Sequence, residues 1–368
     1  MDVYKFRLDQ IKDKMQEKDL DAVMLFPSPN LYYMTGFKTS ASERLLLAVI
    51  PMDGEPFFIA PKLFEGQIRK EASIKEIIVW SDEENPYHIL KNVLEEKNLT
   101  DSRVAVDDTM WAEQLLHISQ IITKLSFTQL GQLINSIREV KSQVEIDLIK
   151  KSSSIVDDVI EEMKKIIKPG MTEIEIAAIM EYEMRKRGSE GPAFETIVGS
   201  GFNGALPHYN AGERVIKSGE FIVLDFGATY KGYCSDTTRT LCVGEPTDKM
   251  KEIYNTVKKA QEIGIKTVKP GIKAKEIDKA VRSYIEQKGY GEYFTHRTGH
   301  GLGMQVHEEP YISGISETVL QPGMVFSIEP GIYLEGEFGV RIEDIVVVTE
   351  EGCERMNKTS KDITVIGT

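Results

Sequence analysis

The chain has 368 residues, 41% hydrophobic and 28% charged, which is a globular profile on a chain too long for one ordinary core, so two domains are expected. A formal net charge of −13 excludes the basic footprint that a nucleic-acid or anionic-membrane partner requires. Met1 leads into a charged stretch with no signal pattern, and the apolar runs are too short to span a bilayer, so a cytoplasmic protein is expected. Three cysteines, Cys234, Cys242 and Cys353, lack Cys-x-x-Cys spacing and leave an odd one over, as buried, reduced thiols would.

Residues 4–18 carry apolar positions at helical spacing, and Asp21-Ala22-Val23-Met24-Leu25-Phe26 reads as a strand. Pro27, Pro29 and Asn30 interrupt the chain before Tyr32-Tyr33-Met34-Thr35-Gly36-Phe37. Leu45 to Pro51, a turn at Asp53-Gly54, and Pro56 to Ala60 form a hairpin signal. Ile77 to Trp80 and Val104 to Val106 are further short strands with helical stretches between them. This part reads as an α/β domain without a cluster of His, Asp or Glu. Its loop Lys38-Thr39-Ser40-Ala41-Ser42-Glu43-Arg44 reads, from spacing alone, as a solvated connection.

From about Leu130 the pattern changes to long helices: Ser142 to Ile167, Thr172 to Arg187, Asp248 to Val268 and Lys273 to Lys288. Thr172-x-x-Glu175 has the form of a capping box. Pro169-Gly170 ends the first helix of one pair and Pro270-Gly271 the first helix of the other. Each pair leads to a strand entered through a glycine: Gly219 to Asp225 in one case, Gly323 to Glu329 in the other. Asp225 and Glu329 sit at the same offset from those glycines, Asp236 and Glu343 follow at similar distances, and His208 and His307 precede them. An internal repeat of this size predicts two structural halves around a shared centre, with His300 the one member lacking a counterpart.

Carboxylates that punctuate apolar strands are costly to bury unless a cation neutralises them. Asp225, Asp236, Glu329 and Glu343 together carry about −4, which two divalent ions would balance. One imidazole among oxygen donors suits Mn²⁺, Co²⁺, Fe²⁺ or Zn²⁺. Two such ions about 3.5–4 Å apart can bridge a hydroxide and make it a nucleophile, so metal-assisted hydrolysis is the reaction class expected. Four of the six histidines, His208, His296, His300 and His307, lie in or beside these blocks. Arg341 shares a strand face with Glu343 and can pair with the carboxylates or meet substrate. Gly199-Ser200-Gly201-Phe202-Asn203-Gly204 has the form of a dinucleotide fingerprint, but Pro207 and His208 interrupt the helix it would need. The glycines from Gly299 to Gly303 are better explained by close backbone approach around His300 than by a phosphate.

Asp225, Asp236, the His296-x-x-x-His300-Gly block, His307, Glu329-Pro330-Gly331 and Arg341-x-Glu343 resemble the pita-bread metallopeptidases, most of all their proline-specific branch of prolidases (Xaa-Pro dipeptidases) and aminopeptidases P. The resemblance covers essentially the whole chain. It implies an α/β (α+β) fold: a creatinase/prolidase-like N-terminal domain over 1–128 and a catalytic pita-bread domain, with an internal pseudo-twofold repeat, over 129–368. It implies two divalent ions per chain, with Mn²⁺ the first choice. Asp225 would hold one, Asp236 and Glu343 would bridge both, and His300 and Glu329 would complete the second site. Glu329 would handle the water's proton, His307 would meet the carbonyl oxygen, and His208, His296 and Arg341 would line the substrate pocket. Thr238 matches a position that orients the ligands.

The substrate implied is a peptide bond before proline, with a homodimer as the working unit. Between the two activities, dipeptidase is favoured and aminopeptidase P is the alternative. In similar prolidases a loop from the second subunit restricts the pocket to dipeptides, and Glu43-Arg44 resembles its charged pair, making Arg44 a candidate substrate contact; Lys38 to Ser42 do not follow the prolidase pattern. A metal-free creatinase-type enzyme and a non-catalytic binding module on the same fold are the other readings, and the complete ligand set argues against both.

Overall fold

The computed structural model describes residues 3–367, and the chain divides between Arg138 and Glu139 into two units. In the first, six strands lie in the order Glu76–Trp80, Phe57–Pro61, Leu47–Pro51, Ala22–Leu25, Arg103–Val106 and Ser126–Gln129. The Asp53-Gly54 turn closes the antiparallel pair Leu47–Pro51 and Phe57–Pro61, with Gly54 at φ 102°, where an L side chain would be strained. Ala22–Leu25 pairs antiparallel on one side and parallel on the other, and all its residues are buried. Its unbroken apolar run is what a central strand covered on both faces requires.

Two features of this unit depart from what the sequence predicts. Pro29 opens the short helix Pro29–Thr35, whose N-cap Ser28 accepts from the Asn30 and Leu31 amides. A proline there loses only an N–H that the first turn leaves unpaired. The edge strand Ser126–Gln129 is mostly exposed and gave no periodic signal to read.

In the second unit the helices are Gln143–Ile166, Glu173–Lys186, Asp248–Thr267 and Ala274–Gln287, each end within one residue of the predicted one. The repeat extends to individual hydrogen bonds. Gly170 N donates to Ile216 O at 3.0 Å, as Gly271 N does to Leu320 O at 2.8 Å. Glu173 N to Arg214 O (3.1 Å) and Ile174 N to Gly212 O (2.9 Å) are matched by Ala274 N to Thr318 O (2.9 Å) and Lys275 N to Ser316 O (3.2 Å). The Thr172–Glu175 capping box is formed in both directions.

Each half contributes a sheet. One has the order Val365–Ile366, Thr237–Val243, Glu220–Phe226, Ile197–Ser200; the other has Glu308–Ile312, Gly299–Gly301, Val325–Ile328, Asp344–Val348, Cys353–Arg355. Strand alternation decides what faces where. Ile222, Leu224 and Phe226 pack with Val159, Met163 and Met180 of the first helix pair. Phe326 and Ile328 pack with Val257, Ile277 and Val281 of the second. The residues of opposite parity, Val223 and Asp225 in one half and Ser327 and Glu329 in the other, are thereby turned away from the helices. Of the cysteines, Cys234 and Cys242 are buried and Cys353 is half-buried.

Candidate metal centre

Asp225 lies in the strand Glu220–Phe226, directly opposite Thr238 of Thr237–Val243. Asp236 precedes that second strand by one residue, so it is the diagonal neighbour of Asp225. Glu343 sits just before the strand Asp344–Val348, anchored by its amide to Thr238 O at 3.1 Å. Its Oε2 accepts from Thr238 Oγ1 at 2.7 Å. His300, on Gly299–Gly301, points Nε2 to within 3.2 Å of Glu329 Oε1 and 3.6 Å of Asp236 Oδ2. Ligand atoms of Asp236, His300 and Glu343 all lie within 4.8 Å of one another, on buried residues.

The donor set fits a divalent cation. Six buried side-chain polar atoms among the described residues lack a hydrogen-bond partner, and three of them are Asp225 Oδ1, Asp236 Oδ1 and Glu343 Oε1. Leaving three carboxylate oxygens unpaired in one buried place is costly unless a cation meets them. His300 Nδ1 is 3.1 Å from Gly301 O, which can only accept, so Nδ1 carries a proton, and Nε2 is the nitrogen turned to the carboxylates, where a cation would take its lone pair. Burial, then the charges of Glu343, Asp225 and Glu329, push the Asp236 carboxyl well above the usual range. Burial, then Glu329 and Asp225, do the same to Glu343. Burial works in the same sense on Glu329, but the His300 hydrogen bond and charge, with His296 and Arg341, outweigh it and hold this carboxyl down to about 2.

Arg341 ties the cluster together. Its Nη2 donates to Asp225 Oδ2 at 2.5 Å, Nε to Thr238 Oγ1 at 3.0 Å and Nη1 to Tyr333 OH at 2.8 Å. Of the two roles open to Arg341 in the sequence, pairing with the carboxylates is the one its nitrogens occupy, although the residue also borders the cavity. His296 is fixed between Arg297 O, 2.7 Å from Nδ1, and Tyr333 OH, 2.8 Å from Nε2. Burial lowers its pKa. His307 faces the pocket with its ring 4.3 Å from that of His300; crowding by protein atoms, then His300 and Arg297, lower its pKa to about 4.

Asp225, Asp236, Glu329, Glu343, His296, Arg297, His300, His307 and Arg341 border one cavity of about 280 Å³, and His208, Pro207 and Asn210 form another part of its wall. Arg44 lies in the first unit, where Nε and Nη2 each donate to Asp82 at 3.1 Å and Nη1 meets Glu43 at 2.5 Å. Tyr333 escapes the sequence reading because a lone Tyr carries no motif. Its signal lies in register: Gly331–Leu334 pairs with Phe338–Arg341 so that Gly331 is opposite Arg341, and Tyr333 shares that face two residues on.

The glycine-rich run around His300 is built for close approach. A Cβ on Gly299 would lie 1.9 Å from Ser327 O, and one on Gly301 would lie 2.3 Å from Glu309 O. Gly199 and Gly204 likewise approach each other's backbone, and only the short 3-10 turn Gly201–Ala205 follows, without the α-helix a dinucleotide site needs.

Comparison with known proteins agrees with this geometry. Metallopeptidase family M24 matches residues 147–350, and the creatinase/prolidase N-terminal domain matches residues 7–140. An Xaa-Pro dipeptidase of Pyrococcus horikoshii is 36% identical over 363 residues, covering 99% of this chain and 100% of that protein. A prolidase structure from Thermococcus sibiricus superposes with a TM-score of 0.96 at 40% identity, covering all of both chains. An X-Pro aminopeptidase structure from Thermotoga maritima superposes with a TM-score of 0.85 at 36% identity, covering 96% of this chain and 100% of that one.

Proposed function

The chain belongs to metallopeptidase family M24, with a creatinase/prolidase N-terminal domain ahead of the peptidase domain, and from that premise we propose that it is an Xaa-Pro dipeptidase. The observation that carries the reading is the buried trio of unpaired oxygens on Asp225, Asp236 and Glu343 beside Nε2 of His300. The full-length likeness to a relative named Xaa-Pro dipeptidase and to a prolidase structure supports the substrate class. The cavity of about 280 Å³ suits a short peptide.

Asp225, Asp236, His300, Glu329 and Glu343 would hold two divalent ions, Mn²⁺ by preference and Co²⁺ or Zn²⁺ as alternatives. One such ion would leave four carboxylates negative even with Arg341 counted. Cations bound there would polarise the scissile carbonyl and lower the pKa of water. An X–Pro bond is a tertiary amide without N–H, so polarising its carbonyl avoids dependence on a hydrogen the substrate lacks.

The chain's own groups do the rest. Thr238 and Arg341 hold Glu343 and Asp225 in orientation, and Ser327 Oγ does so for Glu329 at 3.0 Å. Glu329, kept ionised, would accept the attacking water's proton and pass it to the proline nitrogen as the C–N bond breaks. His307, kept neutral, would donate an N–H to the carbonyl oxygen as it gains charge. His208 and His296 would contact the substrate. A cytoplasmic homodimer is part of the same reading, with Arg44 of a second copy restricting the pocket to dipeptides; among the described residues no helix is long and apolar enough to cross a membrane.

The deciding experiment is a paired assay of an Xaa-Pro dipeptide and an Xaa-Pro-Yaa tripeptide with added Mn²⁺. Dipeptide turnover is expected. Tripeptide turnover without dipeptide turnover would move the chain to the aminopeptidase class, the function named for the Thermotoga maritima neighbour.

A further inference from the structure

The wall of the cavity that bears His208 is the segment 200–214, in which Ser200 ends the strand Ile197–Ser200 and the 3-10 turn Gly201–Ala205 follows. Glu173, at the first turn of the helix Glu173–Lys186, holds this segment with its side chain. Its carboxylate is fully buried at 0% exposure. Oε1 accepts from Ser200 N at 2.8 Å, Ser200 Oγ at 2.7 Å and Asn203 Nδ2 at 3.1 Å. Oε2 accepts from Tyr209 OH at 2.8 Å, and Asn203 Nδ2 also donates to that hydroxyl at 2.8 Å. The backbone of Glu173 and Ile174 grips the far stem through Arg214 O and Gly212 O.

The second half of the repeat shows what the scaffold needs without that carboxylate. There Ala274 stands at the same place, and the same backbone bonds form from Ala274 and Lys275. The helix start and its ladder are therefore independent of the Glu173 side chain. What the carboxylate adds is confined to 200–214, through Ser200, Asn203 and Tyr209. Burying a carboxylate is costly unless its lone pairs are filled, and here four donors converge on it.

We propose that Glu173, acting through Tyr209 and Asn203, is a positioning group that sets His208 at the wall of the pocket. Tyr209, next in chain to His208, is half-buried against Glu173, whereas His208 is exposed to the cavity. Fixing the tyrosine hydroxyl fixes the peptide that the histidine shares with it. Burial and Glu173 raise the Tyr209 pKa to about 12, so it remains a donor at neutral pH. The kinetic consequence rests on the proposed contact between His208 and the substrate; the structural one does not.

Tyr209→Phe, which removes one oxygen, and Glu173→Gln, which keeps the shape, test the latch on the full-length metal-loaded protein. Hydrogen exchange over 201–214 is expected to rise about tenfold in both while Glu220–Phe226 is unchanged. For an Xaa-Pro dipeptide, KM is expected to rise about tenfold with kcat within about threefold, the pattern of lost uniform binding. On a His208→Ala background, Tyr209→Phe is expected to add no further rise in KM, because the two act through one contact. Unchanged exchange in Tyr209→Phe overturns the latch. So does a KM effect that persists undiminished on the His208→Ala background, which marks a general structural role. If the wild-type chain cleaves no Xaa-Pro dipeptide, the proposed function fails while the exchange measurement still decides the latch.

Discussion

His300 shows how one hydrogen bond settles what a side chain can bind. With Nδ1 committed to Gly301 O, Nε2 is left as the nitrogen that can meet a cation, 3.2 Å from Glu329 Oε1 and 3.6 Å from Asp236 Oδ2. Buried carboxylate oxygens of Asp225, Asp236 and Glu343 beside it have no hydrogen-bond partner, so Asp236→Ala or Glu343→Ala, each removing one group a cation would meet, is expected to abolish both metal binding and peptidase activity. His307→Ala is expected to lower kcat by about 10²–10³ with bound metal unchanged, since its role is to meet developing charge; metal analysis beside kinetics separates the two cases. Thr238 acts at one remove, donating to Glu343 and accepting from Arg341. Thr238→Val is expected to weaken metal affinity by about 10–100-fold, read by titration of the chelator-stripped protein.

At the scale of elements, the centre depends on strands that approach closer than side chains ordinarily permit. Gly299 passes so near Ser327 O that a Cβ would sit 1.9 Å away. Gly299→Ala is expected to destabilise by about 1–3 kcal/mol, the range of overpacking, and to displace His300 as well. Thermal unfolding and metal titration together check it, and an unaltered metal affinity would refute the displacement. The four helices and the capping box of this unit were legible from period and punctuation because amphipathic spacing is a local property. The edge strand Ser126–Gln129 and the helix opened by Pro29 were not, one for want of pattern and the other because proline reads as a break until its N1 position is known.

For the whole molecule, the proposed centre predicts that folding and metal binding are coupled. The native state gathers buried, like-charged carboxylates that the unfolded chain leaves in water, so cations that bind only the native state stabilise it by mass action. Chelation is expected to lower Tm, and restored Mn²⁺ to raise it in a concentration-dependent way. Fewer than one metal ion per chain at full activity would refute the two-ion reading. Arg44 is bound to Asp82 and Glu43 within its own unit, and the proposed dipeptide restriction assigns it to the pocket of a second copy. If Arg44→Ala alters neither dipeptide KM nor the dipeptide-to-tripeptide preference, that restriction lies elsewhere.

Sequence alone was enough for the repeat, for the matched offsets of Asp225 with Glu329, and for singling out carboxylates at strand ends as a candidate metal site. Periodicity and charge placement are written along the chain, and burying such charges has few physical solutions. Tertiary structure decided what depends on register and approach between distant segments. It showed that Arg341 spends its guanidinium on Asp225, Thr238 and Tyr333, and that Tyr333 joins His296 to that network. It also placed Glu173 under the His208 wall although Ala274 fills the equivalent place. A hydrogen bond between side chains on different elements leaves no local trace, because its geometry exists only once those elements are packed.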